Sequence, residues 1–176
     1  MNPEGPAVRG LLVGRFQPFH SGHLELLQHI AQRHPGDSVI LGIGSAQESY
    51  TVENPFTASE RAEMIARALA EARLPAAPIV PIPDIHRHAL WVAHVRELVP
   101  PFERVYTNNP LTRLLFERDR VSVESTPLFD RPRLTGTRIR HRMAEGGDWT
   151  GDVPPAVAKY LAEIDGPGRL RLLSKG

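Results

Sequence analysis

Short apolar runs alternate with amphipathic stretches along most of this chain, and that alternation limits its fold more than any other feature. Residues 8 to 14, Val-Arg-Gly-Leu-Leu-Val-Gly, read as a buried strand running into a tight loop. Leu24, Leu27, Ile30 and Ala31 then recur at helical spacing. A second strand is expected at Val39–Ile43, and Thr57-Ala-Ser-Glu60 is a capping-box sequence opening the apolar stripe Met64, Ile65, Ala68 and Leu69. Strand-like Ile79–Ile82, helix-like Ala89–Leu98, strand-like Arg104–Thr107, helix-like Leu111–Arg118 and strand-like Val121–Glu124 continue the pattern. Strands separated by helices pair in parallel, and right-handed crossovers put helices on both faces. The expected fold is therefore α/β: a Rossmann-like, doubly wound parallel sheet in three α/β/α layers. Such sheets bind ligands beyond the carboxyl ends of their strands, so the loops after Val13, Ile43, Ile82 and Thr107 are the expected walls of a site.

Two further helical patterns, Thr137–Ala144 and Ala156–Ile164, follow, and Gly166-Pro-Gly168 reads as a stop before a basic tail. A length of 176 residues suits one domain. Its core is expected at about residues 8–165, with a flexible N-terminus at 1–7 and a C-terminal tail at 166–176. The 17 prolines fall mostly at junctions between elements, as in short structured loops.

Twenty-one Lys and Arg against 20 Asp and Glu leave a formal charge of +1. That balance, with few aromatics, argues against a nucleic-acid partner. No run approaches the length of a membrane span, and no cysteine is present for disulfides or thiolate metal sites. A cytoplasmic protein without membrane association is expected.

Chemistry concentrates in Gly14-Arg-Phe-Gln-Pro-Phe-His20-Ser-Gly22-His23, between the first strand and the first helix. A helix starting near Gly22 turns unpaired N–H groups and its positive dipole end toward the loop, which is where a phosphate binds. His20 and His23 can converge on the same anion, and Arg15 offers a planar donor fork. The second cluster is Leu134-Thr135-Gly136-Thr137-Arg138-Ile-Arg140, whose hydroxyls, N–H groups and guanidiniums also suit a polyphosphate. Taken alone, that segment reads equally well as a capped helix with a solvated basic face.

Together, His-x-Gly-His and the late Thr-x-Thr-x-x-Arg-like segment resemble the signature pair of the adenylyltransferase superfamily, and the chain is similar to its archaeal-type nicotinamide mononucleotide adenylyltransferases. The resemblance extends over nearly all of residues 9–165, through Gly44-Ser-Ala-Gln47, Asn54-Pro-Phe-Thr57, Ala89-Leu-Trp-Val92, Asn109-Pro-Leu111, Pro127-Leu-Phe129 and Gly147-Asp-Trp149. It implies ATP and nicotinamide mononucleotide as substrates, NAD and pyrophosphate as products, and a homo-oligomer, commonly a hexamer. It also implies magnesium, held through substrate phosphates with no metal ligand from the chain.

Residue by residue, the resemblance places His20, His23, Arg15 and Arg140 at the reacting phosphates. Gly14, Phe16, Gly22, Thr135, Gly136, Thr137, Arg138 and Asn108 would border ATP. Asp84, His88, Trp91, Ser45 and Glu53 would border the nicotinamide nucleotide. Trp91 stacking on a cationic ring and Trp91 as core packing both fit the sequence, as do ribose contact and a helix cap for Asp84. His86 and His88 would share a face if extended, but no third ligand of fitting spacing accompanies them.

Without a Gly-x-Ser-x-Gly nucleophile or a phosphate-loop lysine, direct attack of the acceptor phosphate on the α-phosphorus is the expected chemistry. Glu53 and His88 depart from the archaeal pattern, in which Arg and Asn stand there. A neutral His88 and the charge of Glu53 would favour nicotinamide over nicotinate mononucleotide at pH 8, less so toward pH 6. The alternatives are a related adenylyl- or cytidylyltransferase acting on nicotinate mononucleotide or phosphopantetheine, and a module that senses NAD or ATP without turnover.

Overall fold

A computed structural model describes residues 8–130 and 132–175 of the chain. The flexible N-terminus expected at 1–7 lies outside the described residues. Five parallel strands form one sheet in the order β3-β2-β1-β4-β5. They are β1 (Arg9–Gly14), β2 (Ser38–Ile43), β3 (Ile79–Pro81), β4 (Arg104–Tyr106) and β5 (Ser122–Glu124), alternating with α1 (Ser21–Arg33), α2 (Ala58–Glu71), α3 (His88–Leu98) and α4 (Pro110–Arg118). The order reverses beside β1, which pairs with β2 on one side and β4 on the other. This is the switch point at which open sheets of this kind take ligands.

Neighbouring strand residues divide between two cores, as a period of two requires. Leu12, Leu41 and Tyr106 join one cluster with Leu27 and Ile30 of α1 and Met64, Ile65 and Ala68 of α2. Leu11, Ile40 and Val105 join the other, with Val92 and Val95 of α3 and Phe116 of α4. The doubly wound, three-layer arrangement expected from the alternation is thus present. Each loop that leaves a strand carboxyl end opens on the same rim.

The capping box read at Thr57 is formed: the Glu60 N–H donates to Thr57 Oγ1 at 3.2 Å and the Thr57 N–H to Glu60 Oε2 at 2.9 Å. Beyond the sheet come α5 (Gly136–Glu145), a 3-10 turn (Thr150–Asp152) and α6 (Pro155–Glu163). Residues 166–176 were expected to be a tail, but Gly166–Leu173 form α7. The Gly-Pro-Gly that reads as a stop is instead a helix start. Asp165 Oδ1 accepts from the Gly168 N–H at 3.1 Å, and Pro167 fits a first turn, where its missing N–H costs nothing. Leu170 is fully buried against the first core, so the core also reaches past residue 165.

Candidate phosphate and acceptor site

The loop after β1 is shaped around Phe16, whose φ of 51° turns its ring back over the chain. A side chain at Gly14 would put its Cβ 2.8 Å from that ring, so glycine is what lets the strand end beneath it. The buried Phe16 ring meets His23 edge-on at 4.9 Å. His20 and His23 stack at 3.6 Å between ring centroids, and a Cβ at Gly22 would stand 3.3 Å from the His20 ring, a tight contact. The His20 backbone N–H donates to His23 Nδ1 at 3.1 Å. A neutral His23 therefore carries its proton on Nε2 and keeps a donor for a ligand. Burial pushes the His20 pKa down to about 4. Burial, and then the neighbouring His20, hold His23 well below the usual imidazole range, although part of its surface stays open to the cavities it lines.

Arg140, one turn into α5, approaches from across the loop. Its Nη1 donates to the Gln17 carbonyl at 2.8 Å, its Nε to the Val52 carbonyl at 3.0 Å, and its Nη2 lies 3.4 Å from Thr137 Oγ1. Burial and the charge of Arg15 depress its pKa, with Glu53 acting the other way. Gly136 permits the approach, because a Cβ there would stand 2.9 Å from the Gln17 oxygen and 3.0 Å from Arg140 Nη1. Arg15, Phe16, His20, His23, Thr135, Gly136, Thr137 and Arg140 consequently face one cavity of about 270 Å³. Two guanidiniums and two imidazoles there meet no carboxylate among the lining residues, which is the electrostatics of an anion site.

His20, His23 and Thr135 also border a larger space of about 690 Å³ that runs past Gly22, Tyr106, Thr107 and Asn108 to Leu128 and Phe129. Asn108 spends its side chain on the frame, donating to the Thr126 carbonyl at 2.8 Å and accepting from the Thr126 N–H at 3.1 Å. Asn109 borders both this space and a third cavity of about 340 Å³, which brings together Asp84, His88 and Trp91. Trp91 is partly exposed to that cavity and rests edge-on against Phe116 at 5.5 Å, so it is both wall and packing. Asp84 caps no helix; its N–H donates to Gln47 Oε1 at 2.9 Å.

Other expected residues stand elsewhere. Arg138 turns to the Pro132 carbonyl and lines a separate surface hollow with His141 and Arg142. Ser45 lies outside the Trp91 cavity, and its carbonyl accepts from Arg61 at 3.2 Å. Glu53 is exposed and does not line the Trp91 cavity, and its charge is felt at Arg140. His86 sits in a turn with φ of 53° and His88 opens α3, so the two share no strand face. No three His, Asp or Glu side chains come together as a metal cage among the described residues.

Sequence reasoning passed over Gln17 and Arg61. The buried Gln17 amide donates to the Phe56 carbonyl at 2.8 Å and accepts from the Phe56 N–H at 3.0 Å, tying the loop after β1 to the one before α2. A signal for Arg61 was present: it falls on the stripe that continues through Met64, Ile65 and Ala68, which puts a charge on the buried face of α2.

Residues 11–142 match the cytidylyltransferase-like family. The chain is 52% identical over 168 residues to the nicotinamide-nucleotide adenylyltransferase of Picrophilus torridus, covering 96% of this chain and 98% of that one. It is 48% identical over 172 residues to the enzyme of the same name from Archaeoglobus fulgidus, covering 95% and 98%. Among solved structures, a bifunctional NMN adenylyltransferase/ADP ribose pyrophosphatase from Francisella tularensis superposes with a TM-score of 0.79 at 19% identity. That likeness covers 96% of this chain, which spans about half (53%) of the Francisella chain. No helix among the described residues is long and apolar enough to cross a membrane.

Proposed function

We propose that this chain, which belongs to the cytidylyltransferase-like family and within it to the nicotinamide-nucleotide adenylyltransferases, transfers AMP from ATP to nicotinamide mononucleotide, giving NAD and pyrophosphate. The observation that carries the reading is the convergence of Arg15, His20, His23 and Arg140 on one cavity that shares His20, His23 and Thr135 with a larger compartment, which in turn meets the Trp91 pocket at Asn109. The triphosphate occupies the cationic cavity, adenosine the space along Thr107 and Asn108, and the nicotinamide ring the pocket of Asp84, His88 and Trp91. Trp91 offers a face to a cationic pyridinium, and Asp84 a carboxylate to ribose hydroxyls.

An oxygen of the mononucleotide phosphate forms the new bond to the α-phosphorus as the bond from that phosphorus to the α,β-bridging oxygen breaks. Pyrophosphate leaves with the bonding pair. The attacking phosphate is already anionic near neutral pH, so no base is needed to generate the nucleophile. Arg140 and Arg15 neutralise charge that grows on the transferring and leaving groups. His23 donates through Nε2, and His20 is carried beside it by the stacked pair.

Magnesium enters as part of the ATP substrate. The donors around the phosphate cavity are N–H groups, hydroxyls and cations, so phosphate oxygens and water are left to hold the ion. There it would supply further charge neutralisation. A cytoplasmic setting and a homo-oligomeric assembly complete the proposal. They are supported by the absence of cysteine and by Leu90, Leu111 and Leu114, which are exposed on α3 and α4.

The test supplies purified protein with ATP, magnesium and a panel of nicotinamide mononucleotide, nicotinate mononucleotide and phosphopantetheine, following pyrophosphate release. Equimolar NAD and pyrophosphate with nicotinamide mononucleotide is the expected result. Pyrophosphate release with phosphopantetheine alone would reassign the acceptor, and none with any acceptor would leave a binding module.

A further inference from the structure

Arg61 is fully buried, and its guanidinium has backbone carbonyls as partners. Nη1 donates at 2.9 Å to both the Arg15 and the Gly44 carbonyls, and Nη2 reaches those of Ser45 at 3.2 Å, Glu48 at 3.4 Å and Ala46 at 3.5 Å. Nε donates to Thr57 in its own helix at 3.2 Å. No carboxylate among the described residues pairs with it, and burial and the repulsion of Arg15 lower its pKa to about 10. A buried cation is costly, and a site that keeps one unpaired has a use for its donor geometry.

That geometry joins two loops on opposite flanks of the reaction. The Arg15 carbonyl belongs to the loop that carries the phosphate donors. The carbonyls of residues 44–48 belong to the loop after β2, where Ser45 takes a left-handed φ of 48° and the chain turns its oxygens inward. From that loop Gln47 accepts the Asp84 N–H at 2.9 Å, and the Ala46 N–H donates to the Ile82 carbonyl at 3.2 Å. A continuous chain of bonds therefore runs from Arg15 through Arg61 and residues 44–48 to Asp84.

We propose that Arg61 is a positioning residue that sets the register between the phosphate-binding loop at Arg15 and the acceptor pocket at Asp84. The inference rests on the assignment of those two ends to ATP and to the mononucleotide. In-line transfer needs the acceptor oxygen opposite the leaving group, and a misplacement of about 1 Å costs on the order of a hundredfold in rate. Only a planar fork with five N–H donors can serve this many carbonyls at once, and the three-donor ammonium of lysine cannot.

The experiment measures kcat, the Kd of each substrate alone and the melting temperature for wild type, R61K, Q47A and the double variant. Wild-type turnover of ATP and nicotinamide mononucleotide tests the parent reading separately. In R61K, kcat should fall at least about tenfold at temperatures well below melting, with each Kd changed less than about threefold, since each end still holds its own substrate. In Q47A, at an exposed position that keeps the buried cage intact, kcat should fall less. Its effect should largely vanish in the R61K background because both act through one chain.

Wild-type kcat in folded R61K would overturn the proposal, as would additive effects of the two substitutions. Parallel loss of both affinities and of melting temperature would mark a purely structural role. If R61K does not fold, an unchanged kcat in Q47A overturns the proposal by itself.

Discussion

At the phosphate end, Arg140, His23 and Gln17 are each fixed by backbone groups, at 2.8 to 3.1 Å, whereas the turn at 84–88 leaves His86, Arg87 and His88 exposed. That turn is held to the body through the Asp84 N–H on Gln47 and through His94 Nε2, which donates to the Pro83 carbonyl at 2.9 Å. The two ends do different work. Donors that stabilise developing charge are effective when already oriented, because no reorganisation is then needed in the transition state. A pocket that admits one substrate and releases a larger product gains from being open and adjustable.

The contrast is broken most severely at Arg140. Arg140→Ala should leave a folded protein whose kcat falls about 10²–10³-fold, or about 2.7–4 kcal/mol of transition-state stabilisation. His23→Ala should fall in the same range, and turnover near wild type in either variant would remove them from the reaction. Trp91→Ala probes the other end. Its loss should raise the KM for nicotinamide mononucleotide roughly 5- to 30-fold, equivalent to about 1–2 kcal/mol of stacking, and leave the KM for ATP nearly unchanged. Equal increases for both substrates would show that Trp91 acts as packing against Phe116.

Acid should distinguish the ends without any substitution. Both site histidines titrate below their unfolded value of about 6.5, so the unfolded chain binds more protons as the pH falls. The stability from keeping them neutral is complete above about pH 6.5 and is lost as the pH falls below it, for His20 toward its folded value of about 4. For His20 alone the change is on the order of 3 kcal/mol across that window. Melting temperature should drop steadily between pH 6.5 and 4.5, and His20→Gln should flatten part of that slope. A flat profile in the wild type would contradict the burial of the pair.

The smallest effect is expected at Glu53. Because its charge is felt at Arg140, Glu53→Gln should shift the KM for ATP and leave the ratio of nicotinamide to nicotinate mononucleotide turnover within about twofold, the scale of an exposed charge. A large change in that ratio would return Glu53 to the acceptor end, where its place in the sequence had suggested it belonged.

These outcomes also trace what the sequence could convey. The phosphate loop was legible because His20, Gly22 and His23 lie within one turn of a helix start, and the Thr57 capping box because its partners are three residues apart. Which substrate Glu53 serves was not legible, because closeness to a loop does not say which side of it a side chain takes. The helix at Gly166–Leu173 was missed because glycine and proline mark both stops and first turns, and only the Asp165 cap and the buried Leu170 decide between them. Gln17 and the carbonyl cage of Arg61 draw partners from loops 13 to 46 residues away, and no local pattern records such meetings.

Amide hydrogen exchange tests the central claim, that the phosphate end is finished before substrate arrives and the acceptor end is not. In the ligand-free protein, the bonded amides of His20, His23 and Leu24 and those of residues 138–141 should exchange slowly, and those of 85–89 quickly. Adding nicotinamide mononucleotide should slow residues 85–89 and leave the first two groups unchanged. Fast exchange at His20, His23 and Leu24 in the ligand-free protein, abolished only by ATP, would show that the phosphate site is assembled by its ligand and would contradict the account.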